Sequence, residues 1–284
     1  MPVDWTRAAV LSVDEFDVAW ELLDLGATPA VLELQRSGRT YEERDLIVAG
    51  AIGTLRDRGL VRGSAPVPGL AADLTTLAGA ATVRDLVVTA PVRFAAMAAT
   101  GETACVLAVR LDERVAVAGI PPGRAAAELV DLVGPVQPGP GPAVRIPAQV
   151  LYDAVAASDG ERERFTSELM RRGVDGPDAL AVLRMGELTG AAQLGACRLG
   201  QRAPYPLLLH VTARGVYRQR RVARPGAETV VEAGPVDAAT LTRELDELVS
   251  ASADGPGQRR GAGRGSTRPA DVGGIGSDTG ASTW

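Results

Sequence analysis

Residues 82–120 read TVRDLVVTAPVRFAAMAATGETACVLAVRLDERVAVAGI. Four β-type runs lie in this stretch, at 83–88, 92–99, 103–111 and 114–119, rich in Val, Ala and Leu. Only turn-length connections separate them: Ala90-Pro91, Gly101-Glu102 and Asp112-Glu113. Runs joined this tightly return alongside one another, so an antiparallel meander is predicted. A helix over 123–133 follows it, with Ala126, Leu129, Val130 and Val133 on its apolar side.

Towards the N-terminus the pattern is helical. Ser12 stands three residues before Glu15, the spacing at which each side chain satisfies the other's free backbone N–H, and Phe16, Ala19, Trp20 and Leu23 mark the apolar face behind it. This helix ends near Gly26. After Pro29, the alternating run Ala30-Val31-Leu32-Glu33-Leu34 predicts a short strand. Thr40 and Glu43 repeat the capping spacing, and Leu46, Ile47, Ile52 and Leu55 are expected on one buried helical face, closed by Gly59. A shorter helix is predicted over 69–77.

Towards the C-terminus, the Pro/Gly stretch 134–142 reads as a semi-rigid connector, since proline fixes φ and cannot donate to a sheet ladder. Beyond it the same order of elements returns: helices over 148–156, 161–172 and 178–185, strands over 191–199, 205–213, 216–222 and 228–232, and a helix over 237–249. The halves also agree in detail. Glu43-Arg44 opens a helix that ends in Leu55-Arg56-Asp57-Arg58-Gly59, and Glu163-Arg164 opens one that ends in Leu169-Met170-Arg171-Arg172-Gly173. The repetition implies an internal duplication, with halves 1–134 and 135–249 forming one composite domain. A pseudo-twofold arrangement is expected, both meanders contributing to one central surface. The remaining segment, 250–284, is dominated by Gly, Ser, Thr and Ala and is expected to be a disordered tail.

Composition narrows the function. The chain has 284 residues, 46% of them apolar, and a formal net charge of −5 with pI near 5.1, against a role centred on phosphate backbones. All basic residues are arginine. The N-terminus lacks a charged region leading into an apolar one, and no run of about 18 apolar residues occurs, so no membrane insertion and a cytoplasmic location are expected. Cys105 and Cys197 read as two buried free thiols.

Catalytic constellations are missing. His210, the sole histidine, sits in the strand-like run Leu207-Leu208-Leu209-His210-Val211 with no placed nucleophile, and without lysine there is neither a phosphate-loop lysine nor a Schiff base. Asp14, Glu15 and Asp17, and Glu42, Glu43 and Asp45, occupy helix N-termini, where carboxylates complement the dipole. No enzyme, metal or cofactor is expected. Arg218, Arg220 and Arg221, with Arg214 and Arg224 nearby, form the densest basic cluster, and Arg218 and Arg220 share one strand face. A solvated edge strand, an acidic-partner surface and a nucleic-acid contact are all compatible with it.

The opening from Leu11 to Leu32, with its Leu25-Gly26-Ala27-Thr28-Pro29 turn, resembles the start of the EspG family, chaperones of actinobacterial type VII (ESX) secretion. Glu43-Arg44 through Leu55 to Leu60 is similar to that family's second helix. The likeness in element order runs to about Val249. What the resemblance implies is an α+β fold, a central antiparallel β-sheet flanked by two helical bundles. It also implies a cytosolic, substrate-specific chaperone that binds PPE-like substrates, a PE/PPE pair or a WXG100-type protein, and keeps them soluble. A homodimer stays open, and a nucleic-acid-associated regulator is the alternative. The partner surface is expected in the second meander, through Leu194, Leu207, Leu209, Arg218 and Arg220, with Thr89 and Pro91 from the short connection after the first strand of the first meander.

Overall fold

The structure, a computed structural model, describes residues 5–90, 92–223 and 227–253. Pro91, Arg224 and almost all of the predicted tail lie outside the described residues. The elements in chain order are β1 (Ala9–Ser12), α1 (Val13–Leu22), α2 (Tyr41–Asp57), β2 (Val61–Arg62), β3 (Ala65–Pro66), α3 (Pro68–Gly79), β4 (Thr82–Ala90), β5 (Phe94–Thr100), β6 (Cys105–Leu111), β7 (Arg114–Ile120) and α4 (Ala125–Leu132). They continue with β8 (Val144–Pro147), α5 (Ala148–Ser158), α6 (Arg162–Arg171), α7 (Gly176–Met185), β9 (Leu188–Arg198), β10 (Gln201–Arg202), β11 (Leu207–Thr212), β12 (Gly215–Val222), β13 (Val230–Pro235) and α8 (Ala238–Ala253).

Both predicted meanders form, and they join. One antiparallel sheet runs β1-β7-β6-β5-β4-β9-β11-β12-β13-β8, with β10 folded back on β9. Read outward from the β4–β9 pair, each half gives its meander in chain order and then the short strand that begins that half. Leu86 faces Leu194 across this central pair.

The pleat assigns every strand residue to one of two faces. On the first, Leu86, Ala96, Leu107, Leu194, Leu207 and Leu209 pack beneath Leu129 of α4 and Leu241 and Leu245 of α8. The second carries two three-helix bundles. Helices α1–α3 lie over the outer strands of the first half, where Phe16, Trp20, Leu55 and Leu74 meet Met97, Ala108 and Val117. Helices α5–α7 lie over the second half, where Leu151, Phe165 and Leu169 meet Ile146, Tyr217 and Val231. The strip β4–β9–β11 runs between the bundles, and Thr89 and Gln193 on it are exposed.

Local chemistry explains the helix starts. Ser12 Oγ accepts from Glu15 N at 3.1 Å while Ser12 N donates to Glu15 Oε2 at 2.8 Å, and Thr40 and Glu43 repeat the exchange at 3.1 and 3.3 Å. Two expectations fail. Residues 30–34 form no strand: Ala30–Leu32 is a 3-10 turn closed by Leu32 N donating to Pro29 O, and it buries Leu32 while Arg110 donates to the carbonyls of Leu32 and Glu33. The apolar face of α2 is buried only in part. Among its four expected core residues Leu55 is fully buried and Leu46 is 75% exposed, because α2 packs on α1 at the outside of its bundle.

The Pro/Gly connector is built into the fold. Val216 N donates to Gln137 O at 2.7 Å, Gly139 N to Val216 O at 3.2 Å, and Tyr217 Oη to Pro140 O at 3.1 Å. A Cβ on Gly139 would overlap the Tyr217 ring, so glycine is required there by close approach. Strands β1 and β8, four residues each beside helices or prolines, carry too little periodicity to be read from sequence.

Candidate partner-binding groove

The expected interface residues do not share a surface. Leu194, Leu207 and Leu209 are fully buried beneath α4 and α8, and they are therefore corrected from contact residues to core. Burying a leucine stabilises by about 1.5–3 kcal/mol, so no partner reaches them without opening the protein. Arg218 and Arg220 lie on the same face, because Arg218 is in register with Leu209. Strand β12 is flanked by β11 and β13, so the solvated-edge reading is corrected as well.

These two arginines are neutralised internally. Arg218 Nε donates to Glu244 Oε1 at 3.1 Å and its Nη1 to Glu232 O at 3.0 Å, while Arg220 Nε donates to Glu232 Oε2 at 2.8 Å. Glu247 and Arg145 complete the network. For Glu232, burial raises the carboxyl pKa but the hydrogen bond from Arg220 and the neighbouring arginines outweigh it, and the net shift is downward. A cluster that looked available for nucleic acid is thus held by carboxylates of the same chain. Thr89 alone of the described set reaches the exposed strip, its Oγ1 donating to Ala191 O at 3.3 Å.

What the second face offers is a groove. Where α5, α6 and α7 rise from β11 and β12, a cavity of about 460 Å³ opens, lined by Leu151 and Val155, Phe165, Val182 and Leu183, with the sheet as floor. His210 is on that floor. Its Nδ1 lies 3.2 Å from Met185 O, and burial drives its pKa below the ordinary histidine value against the opposing effect of that contact. It is a half-buried, satisfied residue, as expected for a lone strand histidine. Gln219 and Arg221 carry the lining on to a second hollow of about 220 Å³ beside Tyr205, Pro206 and Leu208, which leads to the exposed strip.

In the middle of the strip sits a salt bridge. Asp85 on β4 receives two hydrogen bonds, both 2.8 Å, from Arg202 on β10. Its register partner is Gly195, where any Cβ would strike this pair. The Arg202 side chain thereby crosses β9 over Gly195 to reach Asp85.

Among the described residues no group of three or more His, Cys, Asp or Glu side chains could hold a metal ion, and no helix is long and apolar enough to cross a membrane. Cys105 and Cys197 are free, the first buried and the second half-buried.

Residues 12–247 of the chain match the model of the EspG family. The chain belongs to the EspG family. The EspG fold is also that of a solved relative, the Mycobacterium tuberculosis type VII secretion system chaperone EspG5 in complex with a PE25-PPE41 dimer. That match has a TM-score of 0.70 at 15% sequence identity and covers 85% of this chain and 95% of the other. At that identity the likeness establishes a common fold, and the α+β architecture expected from the sequence is the one present. No curated protein matches the chain.

Proposed function

We propose that this EspG-family chain is a cytosolic chaperone of type VII secretion that holds a PPE-like substrate, as a PE/PPE pair or a WXG100-type protein, by an apolar end of that partner. The carrying observation is the groove between α5–α7 and the sheet, concave, largely apolar and continuous with an exposed strip. Such a surface fits a protein partner's hydrophobic tip. Family membership, and the fold shared with a protein solved on a PE25-PPE41 dimer, support the reading. Chaperoning of this kind uses binding alone and needs no catalytic group. The partner surface moves from the leucine and arginine set of β9, β11 and β12 to the groove, with Thr89 at the end of the strip. The halves 1–134 and 135–249 act in this proposal as two copies of one unit sharing the sheet.

The test is co-expression with PE/PPE pairs and WXG100-type proteins encoded beside this chain, followed by size-exclusion chromatography with light scattering. A stoichiometric complex with a partner that precipitates alone is expected, and it is lost in Leu183→Asp while the variant stays folded. The mass also separates one chaperone per partner from a homodimer. Failure with every candidate, or a complex indifferent to Leu183→Asp, would refute the groove.

A further inference from the structure

Arg221 is the cation at the mouth of the groove. Its β12 neighbours Arg218 and Arg220 point to the α8 side and are paired with Glu232 and Glu244, whereas Arg221 points to the other face. Its guanidinium carbon lies 4.9 Å from the ring centroid of Tyr152 on α5 and 5.4 Å from that of Tyr205, ahead of β11. Among the described residues it has no carboxylate partner, although Arg162, the other cation on the groove wall, is paired with Glu187.

Two aromatic rings within cation–π range of one guanidinium attract it and restrict its rotamers before any ligand arrives. Those contacts supply no anion to its N–H donors, and a carboxylate is the group whose two oxygens match the planar guanidinium fork. The same side chain borders both hollows, the apolar one beneath α5–α7 and the one beside Tyr205.

We infer that Arg221 is a specificity-determining residue which receives an Asp or Glu side chain of the partner, adjacent to the apolar residue that fills the groove. This deepens the chaperone proposal and rests on it. The groove then selects an apolar side chain and an acid together: the apolar part supplies burial, and the acid sets register and discriminates between substrates of similar shape. Arg221, held by its cation–π contacts with Tyr152 and Tyr205, is the preorganised half of that recognition.

The experiment uses the purified complex of the full chain with its co-expressed partner, from which labelled wild type is displaced in competition titrations by unlabelled wild type, Arg221→Gln and Arg221→Lys. Arg221→Gln is expected to weaken binding about tenfold or more, Arg221→Lys to restore little because an ammonium lacks the planar fork, and the salt dependence of Kd to flatten in Arg221→Gln. An acid-to-amide change in the partner should be nearly silent against Arg221→Gln but costly against wild type. In a second arm, NMR titration of the chaperone alone with 4-phenylbutyrate and with its amide should show the acid binding and the amide much weaker, a preference absent in Arg221→Gln. Wild-type binding with Arg221→Gln unchanged would overturn this inference and leave the chaperone reading intact. Failure of wild type to bind any candidate partner would overturn both, and equal response to the acid and the amide would overturn the carboxylate.

Discussion

Replacing Arg202 with leucine should be more damaging than removing its whole ion pair. Asp85 is 2% exposed, and its two hydrogen bonds from Arg202 are the ones that satisfy it across the sheet. Breaking a buried pair from one side leaves an uncompensated charge, worth about 3–5 kcal/mol in a dry site. The Arg202 side chain is 53% exposed, so water reaches that end of the bridge and about 2 kcal/mol is the expected loss at pH 7. In the double variant Asp85→Val, Arg202→Leu the charge is gone, and at least half the loss should return. The comparison is made in urea melts of the single and double variants at pH 7. A deficit below about 0.5 kcal/mol in Arg202→Leu, or a double variant weaker than the single, would refute the reasoning.

Gly139→Ala should destabilise by about 2–4 kcal/mol, from overpacking against buried Tyr217 and loss of the Tyr217–Pro140 hydrogen bond, measured by urea denaturation. Stability should fall below about pH 4.5 in part through Glu15. Burial raises its pKa, but the Ser12 amide, Thr54 and Arg58 together depress it further. Its contribution is present above the unfolded pKa and vanishes as pH drops through the folded one, so Glu15→Gln should flatten that limb of the acid-unfolding curve. His210, kept neutral by burial, gives the same sign at higher pH: its contribution is complete above the ordinary value near 6.5 and declines as pH falls through the lowered pKa. Thermal melts of His210→Gln between pH 7.5 and 5 should show the smaller slope.

Much of the fold was legible because its signals are local. The capping boxes at Ser12 and Thr40, the tight connections of the first meander and the repeated order of elements each depend on neighbours in sequence. The candidate site depends on which side of a strand a helix covers, and one strand's alternation cannot supply that. Leu207, Leu209, Arg218 and Arg220 were read as one partner surface, but they lie on the face beneath α8. The missed signal was Glu244 and Glu247 on the closing helix, positioned to pair with arginines facing them. Arg221 belonged to the cluster noted in the sequence, yet its role needed Tyr152, nearly seventy residues earlier and on another element.

The groove itself follows from a difference between the two halves. Counted from the last residue of the strand that opens each half, Phe16 and Trp20 stand fourth and eighth, and so do Leu151 and Val155. In the first half these positions hold two stacked rings, 5.4 Å between centroids, buried against the sheet beneath α2 and α3. In the second half the same positions hold two aliphatic side chains, and both line the cavity. The first bundle is therefore filled by its own aromatics, whereas the second keeps an opening that a partner's apolar side chain can occupy. Large side chains restored at Leu151 and Val155 should substitute for that partner. The variant Leu151→Phe, Val155→Trp is expected to melt no lower than wild type, because the added surface is buried in existing space instead of being forced into a packed core. Its affinity for the co-expressed partner should fall by about tenfold or more, since the space is already taken. A loss of more than about 2 kcal/mol of stability would mean that these positions are not structurally equivalent. Full stability with undiminished binding would show that the partner enters elsewhere.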